Sequence, residues 1–135
     1  MKVENKTILI VDDDPDILLG LRVRLKANGY NIFFANDGAS ALLEASKHIP
    51  DLIVLDIGLP GDDGFVVMEK IKRIPLIADI PIVVLSASDA RTNQARAIAA
   101  GAKAFLRKPF DDVELVALIR DATVKPRSGE EITLN

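Results

Sequence analysis

Short, nearly continuous apolar runs alternate with segments of helical spacing along most of this 135-residue chain. The runs are rich in Ile, Leu and Val and are too short for helices, so each predicts a β-strand. Continuous hydrophobicity, instead of alternation, is typical of parallel strands that helices cover on both faces. The predicted strands span residues 8–11, 32–35, 52–55, 82–85 and 104–106.

The segments between these strands have the apolar spacing of helices. The first helix is the best defined, because Asp14 is suited to its N-cap, Pro15 to its first position, and Gly29 to its end. The other predicted helices span residues 37–48, 64–73, 89–100 and 111–122.

The last two predicted helices have less regular apolar stripes. Ile98 is the only large apolar residue of the alanine-rich fourth helix, which we therefore expect to be anchored by Ile98 and loosely held. The fifth helix begins at Asp111, and Glu114 has the spacing of a capping box. Its sheet-facing residues are expected to be Val113, Val116 and either Leu118 or Ile119.

Strands alternating with helices predict a doubly wound α/β domain over residues 1–122. Residues 123–135 lose periodicity and gain Pro, Gly and charge, so we interpret them as a tail or linker, with no output domain present. In doubly wound sheets, ligands bind at the carboxyl ends of the strands, where the strand order reverses.

Polar residues follow four of the predicted strands and would meet at that edge of the sheet. Any one of them could be an ordinary cap or turn residue, but together they resemble the parts of a phosphoryl-transfer site. Carboxylates suit a hard cation such as Mg²⁺, and would repel one another without a cation. A lysine and a hydroxyl can hold phosphoryl oxygens. These residues are Asp12, Asp13, Asp14, Asp56, Ser86 and Lys108.

Composition excludes several other kinds of function. The chain has no cysteine, which rules out disulfides, thiolate catalysis and cysteine-bound zinc. The net charge of -3 disfavours direct binding to nucleic acid. Because no apolar run is long enough for a signal peptide or a membrane span, we expect a cytoplasmic protein without a membrane anchor.

Four motifs carry a family resemblance: "ILIVDDDPDI", "DLIVLDIGLPGDDGF", "PIVVLSA" and "GAKAFLRKPF", in this order. With them, residues 7 to about 122 resemble the receiver domain of two-component response regulators. The resemblance implies a flavodoxin-like three-layer sandwich with a five-stranded parallel sheet of strand order 2-1-3-4-5.

The resemblance also implies a metal site beside a phospho-acceptor. Asp56 would accept the phosphoryl group, and Asp13 would be the principal ligand of Mg²⁺, with Mn²⁺ as a substitute. Asp12 would act largely through water, and the backbone carbonyl of Gly58 would complete the protein ligands.

The remaining residues of the resemblance concern the conformational change that would follow phosphorylation. Ser86 would bond the phosphoryl group and Lys108 would pair with another of its oxygens. Phe105 stands where an aromatic residue turns inward on activation, and Pro109 where a cis peptide bond is common. The surface of the fourth helix, fifth strand and fifth helix would then change.

The implied partners are a sensor histidine kinase or a histidine phosphotransfer protein, and a downstream protein or a covalently linked output domain. A homodimer could form on phosphorylation. The chain would catalyse only its own phosphorylation and dephosphorylation.

Two alternatives remain open. An aspartate-nucleophile phosphatase of haloacid-dehalogenase type uses similar groups, but needs a second acid two residues after the nucleophile, where this chain has Gly58. The other alternative is an interaction module with the receiver shape that is never phosphorylated. His48, the only histidine, is expected to be a surface residue.

Overall fold

The computed structural model describes residues 5–59, 61, 63–87 and 90–123. The predicted start of the fourth helix at residue 89 and residues 124–135 of the predicted tail lie outside the described residues. Thr123, predicted as the first residue of the tail, is instead the buried last residue of the final helix. The strands are β1 (Thr7–Val11), β2 (Asn31–Ala35), β3 (Leu52–Asp56), β4 (Ile82–Ser86) and β5 (Ala104–Arg107). The helices are α1 (Pro15–Ala27), α2 (Gly38–His48), α3 (Gly64–Arg73), α4 (Ala90–Ala99) and α5 (Asp112–Thr123).

The sheet is parallel and has the order β2-β1-β3-β4-β5, which confirms the predicted fold and strand order. Its register places the strand ends at one edge. Val11 of β1 pairs with Leu55 of β3, and Asp56 pairs with Leu85 of β4. Ser86 pairs with Arg107, the residue before Lys108. The polar residues singled out in the sequence therefore follow strands that end side by side.

Apolar side chains leave both faces of the sheet and form two clusters. One cluster joins the sheet to residues of α2, α3 and α4, and the other joins it to α1 and α5. The central strands are buried throughout, as expected for strands covered on both sides. Within the described residues, no helix has the length and hydropathy needed to cross a membrane.

Aspartates begin the helices as the sequence predicts. Asp14 caps α1 by accepting a hydrogen bond from the backbone N–H of Asp16 at 2.9 Å. Asp111 accepts from the N–H of Val113 at 2.8 Å. The predicted capping box is wrong, because no hydrogen bond joins Glu114 to Asp111 among the described residues; Glu114 is exposed.

The predicted inner faces of α4 and α5 are wrong at two residues. Ile98 is 50% exposed, whereas its neighbour Ala97 is fully buried. In α5, Val113 is 60% exposed, while Leu115 is fully buried. An error of one or two positions turns a helix face by about 100° or 200°, and the sparse apolar pattern of these helices did not fix the rotation. Val116 and Ile119 face inward as expected.

His48 is less exposed than predicted. Its ring stacks on Phe33, with 3.6 Å between the ring centroids, and Nε2 lies 3.3 Å from Glu44 Oε1. The side chain is only about one quarter exposed, so His48 packs between the end of α2 and β2.

Candidate functional site

Three aspartates meet at the carboxyl ends of β1 and β3. One carboxylate oxygen from each of Asp12, Asp13 and Asp56 lies within 4.8 Å of the others. Asp12 is 0% exposed and Asp56 4%, whereas Asp13 is exposed. The two adjacent strands bring the carboxylates together because Asp12 directly follows β1 and Asp56 is the last residue of β3.

Asp12 lies deepest in this cluster. Its Oδ1 accepts a hydrogen bond from the N–H of Asp14 at 2.9 Å. Its buried Oδ2 forms an ion pair with Lys108 Nζ at a distance of 2.8 Å. Burial raises the pKa of Asp12, although the Lys108 ammonium and the Asp14 N–H both act in the opposite direction. The Asp12 carboxylate is therefore a costly buried charge that the Lys108 ammonium offsets only in part.

Lys108 bridges two of these carboxylates. In addition to the ion pair with Asp12, Nζ donates a hydrogen bond of 3.0 Å to Asp56 Oδ2. Burial works against the charged ammonium, but the carboxylates of Asp12 and Asp56 outweigh it and raise the pKa of Lys108. The Lys108 ammonium thus contacts both Asp56, the predicted phospho-acceptor, and Asp12.

The other oxygen of Asp56 faces the loop that follows β3. Asp56 Oδ1 accepts a hydrogen bond from the N–H of Gly58 at 2.8 Å. A Cβ atom at residue 58 would lie 3.4 Å from this oxygen, so glycine leaves that side of the carboxylate uncovered. The carboxylate opens into a cleft of about 700 Å³. The cleft is lined by Asp13, Asp14, Pro15, Asp56, Gly58, Ala87 and Lys108.

The two predicted switch residues lie on neighbouring strands. Ser86 ends β4 and is 1% exposed, and its Oγ accepts a hydrogen bond of 3.2 Å from Asn93 Nδ2 on α4. Phe105 of β5 is half-buried and packs against the cluster that joins α2, α3 and α4 to the sheet. The peptide bond between Lys108 and Pro109 is cis, as the resemblance implies. Sequence reasoning missed Asn93, because no pattern along the chain marks its contact with Ser86.

The donor atoms of the cluster fit a hard divalent cation. They are carboxylate oxygens, which Mg²⁺ and Mn²⁺ prefer, and neither histidine nor cysteine contributes to the group. Three carboxylates face a single ammonium here, so the cluster retains negative charge that a divalent cation would offset.

Comparison with known proteins agrees with this geometry. The family model described as the response regulator receiver domain matches residues 8–120. The chain belongs to this family. The receiver domain is 41% identical over 116 residues to the response regulator PleD of Caulobacter vibrioides, a match that covers 86% of this chain and 26% of PleD.

Two further relatives support the assignment of a receiver domain. The transcriptional regulatory protein KdpE of Mycobacterium tuberculosis is 35% identical, over 93% of this chain and 54% of KdpE. The solved structure of the chemotaxis response regulator CheY4 of Vibrio cholerae superposes with a TM-score of 0.82 at 27% identity, covering 88% of this chain and 99% of that one. The receiver domain thus spans about a quarter of PleD and about half of KdpE.

Proposed function

We propose that this receiver domain accepts a phosphoryl group on Asp56 from a phosphohistidine of a sensor kinase or a phosphotransfer protein, in a Mg²⁺-dependent reaction. The observation that carries the proposal is the cluster of Asp12, Asp13 and Asp56 at the mouth of an open cleft, with Lys108 bonded to Asp56. This is the combination of groups that phosphoryl transfer requires.

The carboxylates of Asp12, Asp13 and Asp56 and the backbone carbonyl of Gly58 would hold the metal ion. When bound, Mg²⁺ neutralises charge on the phosphoryl oxygens and on the carboxylates around them. Asp12 would act largely through a water molecule, and Asp13, which is exposed, would be the principal ligand.

The reaction is a displacement at phosphorus. A carboxylate oxygen of Asp56 attacks in line, the bond from phosphorus to the donor's imidazole nitrogen breaks, and that nitrogen keeps the electron pair. If the other nitrogen of the donor's ring carries a proton, the products are an acyl phosphate and a neutral histidine. The ammonium of Lys108 is already 3.0 Å from Asp56 Oδ2, so it can follow a phosphoryl oxygen as negative charge arrives. Positioning and charge neutralisation contribute more than proton transfer.

Phosphorylation would change the surface of the domain through Ser86. The phosphoryl group adds about -1.5 to -2 charges and strong acceptor oxygens. The hydroxyl of Ser86 turns to bond one of them, Phe105 moves into the space that this leaves, and the surface of α4, β5 and α5 shifts. That surface then controls a downstream protein or a linked output domain, and could support a homodimer.

The phosphohistidine donor would approach between α1 and the start of α5. A cavity of about 610 Å³ lies there, next to the cleft over Asp56, and Lys108 lines both. Its walls combine carboxylates with apolar groups, and Leu19 and Val23 are exposed on α1. Such a surface suits a partner helix with basic and apolar residues. Residues of the cavity include Asp14, Asp16, Ile17, Gly20, Phe110 and Asp112.

Acetyl phosphate and a phosphomonoester together test this function. With Mg²⁺ and acetyl phosphate, we expect one phosphoryl group per chain by intact-mass spectrometry, and no sustained release of phosphate from p-nitrophenyl phosphate. Gly58 supplies no general acid for such turnover. Catalytic turnover of the monoester would favour the phosphatase alternative, and absence of any labelling would favour the non-phosphorylated module.

A further inference from the structure

Three residues on one face of helix α4 contact the rest of the domain. Asn93, Arg96 and Ala97 have the spacing i, i+3 and i+4, which places them side by side on a helix. Ala97 is fully buried, but its side chain is small, and the larger Ile98 is half exposed. The side-chain contacts of Asn93 and Arg96 are therefore well placed to determine where α4 lies.

Asn93 connects α4 to the predicted phosphoryl site. Its Nδ2 donates a hydrogen bond of 3.2 Å to Ser86 Oγ, and Ser86 is the last residue of β4. The same hydroxyl is the group that would turn toward a phosphoryl group on Asp56. A change in the position of Ser86 Oγ therefore acts directly on a hydrogen bond to α4.

Arg96 connects the same helix to the start of α3. Its guanidinium carbon Cζ lies 3.9 Å from the centroid of the Phe65 ring, and Nη2 lies 3.9 Å from Asp63 Oδ2. Asp63 is the N-cap of α3 and accepts a hydrogen bond from the N–H of Phe65 at 2.8 Å. Arg96 thus contacts the residues that end the loop leading from Asp56 to α3. Its side chain is exposed, so the ion pair is screened and the ring contact is the more specific one.

We propose that Asn93 and Arg96 are positioning residues that together hold α4 against Ser86 and against the start of α3, and so set how readily phosphorylation moves α4. This inference rests on the proposed phosphorylation of Asp56. If the contacts of Asn93 and Arg96 exist only while α4 is in the position described here, they stabilise that position relative to the shifted one. Removing either contact should favour the shifted position of α4, and by linkage should strengthen binding of a phosphoryl mimic.

The test is a titration of the full chain with beryllofluoride in Mg²⁺, followed by backbone NMR signals of α4 and of the residues around Asp56. We expect Asn93→Ala and Arg96→Ala each to bind beryllofluoride about 2- to 5-fold more tightly than the unchanged chain. Arg96→Lys keeps the charge but loses the planar stacking group, so its affinity should lie between those of the unchanged chain and Arg96→Ala.

Two matched controls separate this effect from helix propensity and from loss of charge. Gln94→Ala changes an exposed neighbour on α4, and Arg73→Ala removes an arginine of an exposed ion pair with Glu69 on α3. Both controls should bind beryllofluoride as the unchanged chain does. A merely structural role of Asn93 or Arg96 would lower the melting temperature without strengthening beryllofluoride binding.

Unchanged or weaker beryllofluoride binding in both Asn93→Ala and Arg96→Ala would overturn the inference. Failure of the underlying function looks different, because then the unchanged chain and Asp56→Asn would show the same lack of response to beryllofluoride. If the unchanged chain responds and the variants match it, only the roles of Asn93 and Arg96 are rejected.

Discussion

Asp13→Ala is expected to abolish Mg²⁺-dependent phosphorylation, whereas Asp14→Ala is expected to leave it intact. Asp13 supplies an exposed carboxylate within 4.8 Å of the buried Asp12 and Asp56, so its removal takes away a metal ligand without disturbing the core. Asp14 instead caps α1 through the N–H of Asp16, and its loss should cost about 1 kcal/mol of unfolding free energy. The rate of labelling by acetyl phosphate at increasing Mg²⁺ measures the first effect.

Chemical unfolding with and without Mg²⁺ provides a second readout for the same pair. A ligand that binds only the folded state stabilises it, by about 2.7 kcal/mol at 100 times its dissociation constant. This stabilisation should be present in Asp14→Ala and absent in Asp13→Ala. Equal loss of labelling in the two variants, or full stabilisation of Asp13→Ala by Mg²⁺, would show that the roles of these neighbouring aspartates are assigned incorrectly.

The second large effect is expected for Lys108→Ala. Without the ammonium, phosphorylation of Asp56 should slow by about 10²- to 10³-fold, the usual loss when one group that stabilises transition-state charge is removed. The variant also leaves the carboxylates of Asp12 and Asp56 without their shared partner, which should cost about 3 kcal/mol of stability in the absence of Mg²⁺. Part of this loss should return when Mg²⁺ is added, because the cation replaces the missing positive charge.

Lys103→Ala is the matched control, since Lys103 is exposed just before β5 and no ion pair involves it among the described residues. Labelling kinetics and urea unfolding should both resemble those of the unchanged chain. If Lys108→Ala were labelled as fast as Lys103→Ala, the proposed contact of Lys108 with the phosphoryl group would be rejected.

The sequence was sufficient to predict the architecture, because the strands are buried on both faces and have a strong apolar signal. Each of the five predicted strands is one residue too short at one end, for a consistent reason. The omitted residues belong to strands through their backbone pairing, although their side chains are not apolar; they are Thr7, Asn31, Asp56, Ser86 and Arg107. The backbone of Asp56 and that of Ser86 are thus held in place by pairing within the sheet. A position in a loop would not have this pairing.

The rotation of α4 and α5 was harder to predict from sequence. An apolar stripe determines which face of a helix is inward, and α4 has too few large apolar residues to define one. Ile98 looked like the anchor, but Ala97 is the residue that packs inward. The contacts of Asn93 and Arg96 depend on how α4 crosses Ser86 and α3, and this is a property of tertiary packing.

The candidate site was predictable as a set of residues but not as a set of contacts. Alternation of strands and helices predicts a parallel sheet, so Asp12, Asp56 and Lys108 lie at one edge, and the strand order that the resemblance implies brings them close together. The sequence did not indicate that Lys108 would bridge both carboxylates, or that Asp12 would be completely buried. These contacts depend on side-chain conformations that no local pattern specifies.

Peptide mapping of the labelled chain tests the central claim most directly. The chain would be treated with acetyl phosphate and Mg²⁺, reduced with borohydride to trap an aspartyl phosphate, and digested for mass spectrometry. The account predicts a single modification at Asp56, which is absent from Asp56→Asn and from samples prepared with a chelator. Modification at another residue, or equal labelling of Asp56→Asn, would contradict it.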